Sequence, residues 1–571
     1  MDHLNLDKTT SSSLMLPKEE KERVVILRPN SNNLGRLLIR EDTVLANIQG
    51  CACGRAQFTC AGVKKQWSVL CWGKQSDKKY YSLLVTLSTT FALSLIGTIF
   101  FCFTNTINNA ILSNMVIRNN SLAYSMWKRP PVHPLMKVHV FNYTNWERVR
   151  DGLDARLNVQ DVGPFVYSQH LERVNVKFTG DQVTYQERNN FKYIPEMSAG
   201  AHFDKVRVPN LPLLGIASKA LALPYLVQMT LQSSLSTFTN HHDAFIELPV
   251  HRFLWGYDDD IIDLAKPFLS LQGKLNFEKF GLLVTKNGTV SDVLTINTGE
   301  NNMNKMNIIQ KFNGHEHLSF WGNPECNSIE STDGSIFPPA LLDKNTTLYV
   351  LYANLCRRVP FMYNKEVEED GIKLLRYQMP KDVFDSPKYN TANQCYCEID
   401  SATCPPSGIV NVTACAMGAP ALASFPHFYR ADPMLRVNIT GMDPKPTLHE
   451  SYIDVHPTLG LALSGRSSLQ INIQVKKPNS FRSLDFLDQG LILPIAWIEM
   501  SVEHIPESLR SLVYHGTYST AAAQLGLVVM CIFTLIVSGF CLFFMLVRRR
   551  RKPCATLKVI PVNNDTKQVS R

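Results

Sequence analysis

The sequence predicts a membrane-anchored α+β protein that is mainly β. A large, irregular antiparallel barrel or sandwich with a helical insert is flanked by two transmembrane helices. Three observations predict it. Two long apolar windows without charge lie toward the ends of the chain. Apolar and polar residues alternate with period two between them. The glycosylation acceptors and an even set of cysteines collect in that same middle segment.

No charged residue occurs between Lys79 and Arg118, and Ser82–Phe103 is dense in Leu, Ile, Val and Phe. Crossing a bilayer takes about 20 apolar helical residues. Tyr80 and Tyr81 stand where an interfacial aromatic belt belongs. The second window lies between His515 and Arg548, with 521–547 as its core. The first window begins too late for a cleaved signal peptide and is expected to act as an uncleaved anchor. Lys74, Lys78 and Lys79 precede it, and Arg548–Lys552 follow the second window. Basic residues collect on the cytoplasmic side. The expected order is a cytoplasmic, largely disordered 1–79, a span at 80–103, a lumenal or extracellular 104–520, a span at 521–547 and a basic cytoplasmic tail 548–571.

The net charge of +9 is unevenly placed. Residues 1–79 carry 13 Lys+Arg against 8 Asp+Glu, and 548–571 carry 8 against 1, which leaves −3 for the middle. A nucleic-acid footprint would put the basic excess on the folded part, so no such partner is expected. Hydrophobic residues at 45% against charged residues at 19% exclude a mainly disordered chain.

The acceptor pattern Asn-x-Ser/Thr occurs at Asn119, Asn142, Asn287, Asn345, Asn411 and Asn438, with one further match at Asn564 in the tail. Six of seven in the middle segment agrees with a lumenal, glycosylated surface. Of 14 cysteines the middle holds six, Cys326, Cys356, Cys395, Cys397, Cys404 and Cys415, all within 326–415. In an oxidising compartment an even set reads as three disulfides, and spacing leaves their pairing open. Cys71 and Cys554 are juxtamembrane candidates for palmitoylation. Cys51, Cys53, Cys60 and Cys71 fit no common zinc spacing, and no metal or cofactor is expected.

Leu469-Gln-Ile471-Asn-Ile473-Gln-Val475 and Val174-Asn-Val176-Lys-Phe178 alternate strictly and predict half-buried strands with one wet face. Ile216–Phe238 instead repeats apolar residues at i, i+3 and i+4, which predicts two amphipathic helices restarting at Pro224. Asp258, Asp259, Asp260 and Asp263 lack the glycine and distal glutamate of an EF-hand and read as a solvated acidic loop. Glu22-Arg-Val-Val-Ile26-Leu27 has the form of an acidic dileucine sorting signal, with Ile in place of the first Leu.

No Gly-x-Ser-x-Gly, Walker A or His-Glu-x-x-His string is present, and His315-Glu316-His317 has the wrong spacing for a zinc helix, so no enzyme activity is expected.

Several long strings carry a family resemblance. They include Ala123-Tyr124-Ser-Met-Trp127-Lys-Arg-Pro130-Pro131, Phe141-Asn-Tyr-Thr-Asn145 and Val162-Gly163-Pro164-Phe165. Phe253-Leu254-Trp255-Gly256-Tyr257 and Cys326-Asn-Ser-Ile-Glu-Ser-Thr332-Asp333-Gly334-Ser-Ile-Phe337-Pro338-Pro339 follow. Cys395-Tyr396-Cys397, Phe425-Pro426-His427-Phe428 and Asp454-Val-His-Pro457 complete the set. In these strings residues 82–547 resemble the class B scavenger receptors, the fatty-acid-translocase family. That family includes a lysosomal integral membrane protein and insect members involved in phagocytosis and carotenoid uptake, and this chain resembles an insect-type member.

The resemblance implies an ectodomain with an irregular β-barrel core, a helical apex at about 212–256 and an apolar tunnel toward the bilayer. It also implies pairing of Cys326 with Cys395, Cys356 with Cys415 and Cys397 with Cys404. A tunnel has a physical use. Carrying an acyl chain through water costs about 0.8 kcal/mol per methylene, roughly 12 kcal/mol for sixteen carbons.

The chain departs from the family at the apex, where relatives carry lysines. No Lys or Arg lies between Lys219 and Arg252, whereas Asp243, Glu247, His241, His242 and His251 do. The expected patch is negative at neutral pH, with His241 and His242 as candidates for a response to endosomal pH. The expected function is a receptor that binds lipidic or lipoprotein ligands (fatty acid, sterol, carotenoid) at its apex and passes lipid to the membrane. The alternative is an endocytic, phagocytic or lysosomal recognition receptor for proteins or dying-cell debris. The expected location is the plasma membrane, the endosome–lysosome system, or both.

Overall fold

The structure is a computed structural model. It describes residues 77–238, 243–263, 279–397, 404–416 and 418–550, with short paired strands at 24–25 and 37–38 and at 57–60 and 63–66. Among the described residues two compact bodies form, one that takes in 77–104 with 523–550 and one that takes in 105–522.

The first body holds helix α1 (Asp77–Phe103) and most of helix α10 (Thr520–Arg550), the two helices long and apolar enough to cross a membrane. They pack antiparallel. Gln524 donates to the Phe101 carbonyl at 3.0 Å, Ser94 and Thr534 hydroxyls meet at 2.8 Å, and Arg549 donates to the Tyr81 hydroxyl at 2.8 Å. A Cβ at Gly97 would come within 2.9 Å of Cys531 Sγ, so a small residue is what lets the helices approach there. The N-terminal end of α1 and the C-terminal end of α10 therefore meet at one end of the pair.

The second body is built on a fourteen-stranded sheet. Its strands are β1 (Leu135–Tyr143), β2 (Leu157–Thr179), β3 (Gln182–Tyr193), β6 (Gly288–Asn297), β7 (Ile309–Phe312), β8 (Leu348–Tyr352), β9 (Arg357–Glu369), β10 (Ile372–Gln378), β11 (Ile409–Asn411), β12 (Ala421–Ser424), β13 (Ile439–Thr440), β14 (Tyr452–Val455), β15 (Ala462–Gln474) and β16 (Ile492–Val502). The main path runs β7-β6-β3-β2-β1-β16-β15-β14-β10-β9-β8, antiparallel throughout, while β12 attaches to β15 and β11 to β12, and β13 pairs parallel with β2. A separate pair, β4 (Lys205–Pro209) with β5 (Phe245–Pro249), brackets helices α5 (Leu211–Ala220) and α6 (Tyr225–Phe238). Smaller helices are α2 (Thr106–Ser113), α3 (Leu122–Lys128), α4 (Trp146–Arg150), α7 (Val250–Trp255), α8 (Pro446–His449) and α9 (Glu507–Tyr514).

The path leaves two edge strands, β7 and β8, whose free backbone groups need partners. Residues 331 and 332 serve both. Ile309 N–H donates to the Ser331 carbonyl at 2.9 Å, Thr332 N–H to Tyr349 at 3.0 Å, and Leu351 N–H to Thr332 at 2.9 Å. Asp333 fixes this segment. It pairs with Arg173 of β2 at 2.7 Å and accepts from Asn307 and Ser335. Arg173 is buried between the rings of Trp127 and Tyr185, which ties α3 and β3 to the same point. Burial would raise the Asp333 pKa, but Arg173 and the donors from Ser335 and Asn307 outweigh it and hold the carboxyl below its usual range. Gly460 (φ 72°) lets the chain close in, because any Cβ there would lie 1.9 Å from the Phe337 carbonyl oxygen.

Two sequence expectations are corrected. Gln470 and Asn472 do not form a wet face; both are fully buried. Residues 425–449 cover that side of β15; Gln470 accepts the His427 N–H, and Asn472 donates to Ser424 of the neighbouring strand β12. The 258–263 segment is not a fully solvated loop either. Asp259 is buried, and its Oδ1 accepts the N–H groups of Ile261 and Ile262.

Removing one partner of a buried ion pair leaves an uncompensated charge, so Asp333→Ala is expected to cost about 3–5 kcal/mol. Denaturant unfolding of the purified protein measures it, and a loss below about 1 kcal/mol would contradict the role given to Arg173–Asp333. In the membrane pair, oxidation of Ser94→Cys/Thr534→Cys is expected to give an intrachain cross-link. Its absence would show that the helices do not pair in this register.

Candidate functional site

The site begins with α5 and α6. Asn210 caps α5 by accepting the Leu213 N–H at 3.1 Å, and its amide donates to the Asp243 carbonyl at 3.0 Å. Leu213, Leu214, Ala217 and Ala220 of α5 and Leu235 of α6 enter the largest apolar cluster. The chain turns through Leu221–Leu223, and α6 restarts after Pro224, whose carbonyl accepts the N–H groups of Val227 and Gln228.

The first turns of α6 do the opposite of burying. Leu221, Leu223, Tyr225, Leu226, Val227 and Met229 are 40–75% exposed, with Leu226 the most. Helix α6 contains no charged residue. Large apolar side chains clustered at the surface mark a contact site more often than chance exposure does.

Charge at this end differs from the sequence expectation. The window 219–252 lacks Lys and Arg, but β4 pairs with β5 and brings two cations from outside it. Lys205 Nζ and Arg207 Nε lie 3.1 and 3.3 Å from the Glu247 carboxylate. Lys205, then Arg207, holds the Glu247 pKa below its usual range. Glu247 is thus neutralised rather than part of a bare negative patch. Asp243 in turn lies within Coulombic reach of Arg150.

His251 hydrogen-bonds the His202 carbonyl through Nδ1 at 3.0 Å. The His202 ring stacks on Tyr193 at 4.1 Å and meets the Tyr167 hydroxyl at 3.0 Å. Burial, then His251, lowers the His202 pKa. Sequence reading missed His202 because its partners come from β2, β3 and α7. His241 and His242 lie outside the described residues, as do Cys71, Cys554, Glu22, Ile26 and Leu27.

Beneath the helices, apolar clusters follow one another along β15. Ile473 belongs to the cluster that contains α5, Ile471 packs against it, Leu469 packs against a second cluster, and Leu463 belongs to a third that includes Ile505, Leu509 and Val513. Thirteen residues of strand extend about 40 Å at roughly 3.3 Å each. Leu509 and Val513 lie on α9.

The structure joins Cys326 to Cys395, Cys356 to Cys415 and Cys397 to Cys404, with Cα separations of 5.9, 5.9 and 5.2 Å. Arg357 lies 3.7 Å over the Tyr396 ring, and Trp321 Nε1 donates to the Cys356 carbonyl, so aromatic packing surrounds two of the bridges. Asn119, Asn287, Asn345 and Asn438 are exposed, whereas Asn142 and Asn411 are half-buried, with Asn142 Oδ1 accepting the Arg207 N–H. Cys102, Cys531 and Cys541 are free thiols.

The sequence matches known proteins over most of its length. The CD36 family model matches residues 86–548. Scavenger receptor class B member 1 of Mus musculus is 30% identical over 396 residues, covering 69% of this chain and 75% of that protein. Lysosome membrane protein 2 of Mus musculus is 31% identical over 410 residues, covering 70% and 81%. Lysosome membrane protein 2 of Homo sapiens is 30% identical over 419 residues, covering 72% and 83%. A match across both apolar helices and the whole sheet between them places the chain in the CD36 family, that of the class B scavenger receptors.

Proposed function

We propose that the protein is a two-pass receptor that takes up lipidic or lipoprotein ligands at α6 and passes lipid through the interior of its sheet to the membrane. The observation that carries this reading is the uncharged, apolar surface of α6 above clusters that continue along β15 toward α9. An apolar surface takes up a lipid particle by area removed from water, at about 25 cal/mol per Å², and needs no cation to do so. The hydrogen bonds from residues 331–332 to both edge strands support a sheet closed on itself as a barrel, with its apolar side inward. In this reading residues 104–520 face the lumen or the exterior and both termini face the cytosol. The six middle asparagines carry the glycans, Cys71 and Cys554 are acylated, and Glu22–Leu27 sorts the protein to endosomes.

The second reading is a recognition receptor that delivers protein or cell debris by endocytosis. Similarity to proteins named for the lysosome membrane favours it.

Leu226→Asp/Val227→Asp tests the choice in cells that display equal amounts of protein at the surface. Uptake of labelled lipid from lipoprotein particles is expected to fall at least about tenfold, as two desolvated charges cost several kcal/mol at an apolar contact. Unchanged lipid uptake would overturn the α6 assignment. Loss of protein-cargo binding with lipid uptake intact would favour the second reading.

A further inference from the structure

Two histidines and a tryptophan bond one carboxylate in the wall of the sheet, far from α6 in sequence, and a third histidine stacks on one of them. Asp161 of β2 receives His139 Nδ1 at 2.9 Å, His427 Nε2 at 2.9 Å and Trp497 Nε1 at 3.0 Å. His139 stacks on Trp497 at 3.9 Å. His449 stacks on His427, ring to ring, at 5.0 Å. Both His427 and His449 are buried.

Their second nitrogens hold the chain in front of them. Asp443 N–H donates to His427 Nδ1 at 3.1 Å, and Lys445 N–H donates to His449 Nδ1 at 3.0 Å. A backbone N–H only donates, so both Nδ1 atoms must carry lone pairs and neither ring can be protonated there while these bonds exist. The segment lies close to β2, because a Cβ on Gly441 (φ 94°) would lie 1.9 Å from the Val159 carbonyl oxygen.

We propose that residues 441–446 form an acid-released strap, held shut by the acceptor nitrogens of His427 and His449 and freed when those nitrogens take up protons. A proton on either Nδ1 turns an acceptor into a donor that faces another donor. It also places positive charge on rings stacked at 5.0 Å. The groups that face the pair are few. Asp161 already receives three donors, and His139 is one of them. Asp443 and Lys445 pair with each other at 2.7 Å. Glu450 is engaged by the Tyr429 hydroxyl, by Gln378 and by Lys381, and Arg430 bonds that same hydroxyl. Arg466 donates to the carbonyls of Thr447 and Glu450, bonds indifferent to pH in this range, and so marks where the strap stops and α8 stays in place. Asp443 and Lys445 are exposed, so water can take up their released N–H groups.

Burial, then His427, pushes the His449 pKa down to about 4, below the ordinary 6.5. A lowered histidine pKa contributes stability above 6.5 that is lost as pH falls toward 4. Between pH 7.4 and 5.0 the opening equilibrium of the strap is expected to shift toward the open form as His449 Nδ1 takes up a proton. The use of such a strap in an acidifying compartment rests on the lumenal placement proposed above, but the opening itself does not.

Hydrogen–deuterium exchange of the full chain in detergent micelles tests it at pH 7.4 and 5.0, corrected for the intrinsic pH dependence of exchange. Peptides covering 441–449 are expected to lose protection by tenfold or more, while those covering β16 stay protected. His449→Asn keeps an acceptor at the Nδ1 position that does not protonate, and is expected to restore most of the protection at pH 5.0. Equal protection of 441–449 at the two pH values would overturn the strap. So would a His449→Asn protein that opens in acid as the wild type does, and where that variant does not fold the wild-type comparison decides alone.

Discussion

The sheet depends on one short segment being held in place. An antiparallel sheet with two free edges exposes two rows of backbone donors and acceptors, and residues 331–332 offer partners to both. That segment has little apolar side chain of its own to keep it there. The buried Arg173–Asp333 pair does so instead, with Trp127, Tyr185, Asn307 and Ser335 gathered around it. The strings around Trp127 and Thr332–Gly334 thus meet at Arg173 of β2, one through a ring and the other through a carboxylate.

Between the edge strands that residues 331–332 bond, the two sides of the sheet take on different work. Along β15 one set of alternate residues meets three apolar clusters in turn, while the other set, Ser468, Gln470 and Asn472, enters a buried polar layer with Ser424 and His427. Buried polar groups are tolerated only when their bonds are satisfied, and these are. The apolar side packs against the clusters that hold α5 and α9. The polar side fixes residues 425–449 against the sheet and brings the histidines to Asp161.

The windows for α1 and α10, the alternation of β15 and the restart of a helix at Pro224 were all legible in sequence, because each is a local pattern of apolar spacing. What sequence reading missed was long-range. The alternation of Gln470 and Asn472 reads the same whether water or another layer covers them. Glu247 stands alone in its own window and meets Lys205 and Arg207 only through strand pairing. Asp161, His139, His427, His449 and Trp497 come from five separate segments, and no spacing rule connects them. Even the exposure of Leu226 was hidden, since an i, i+4 apolar stripe ordinarily signals a buried face.

The central claim is that lipid occupies the interior of the sheet. A fatty acid bearing a diazirine, photoactivated on the full-length protein in membranes and mapped by peptide mass spectrometry, tests it most directly. The account predicts adducts on 135–143, 462–475 and 492–500. Adducts confined to α1 and α10 would contradict it.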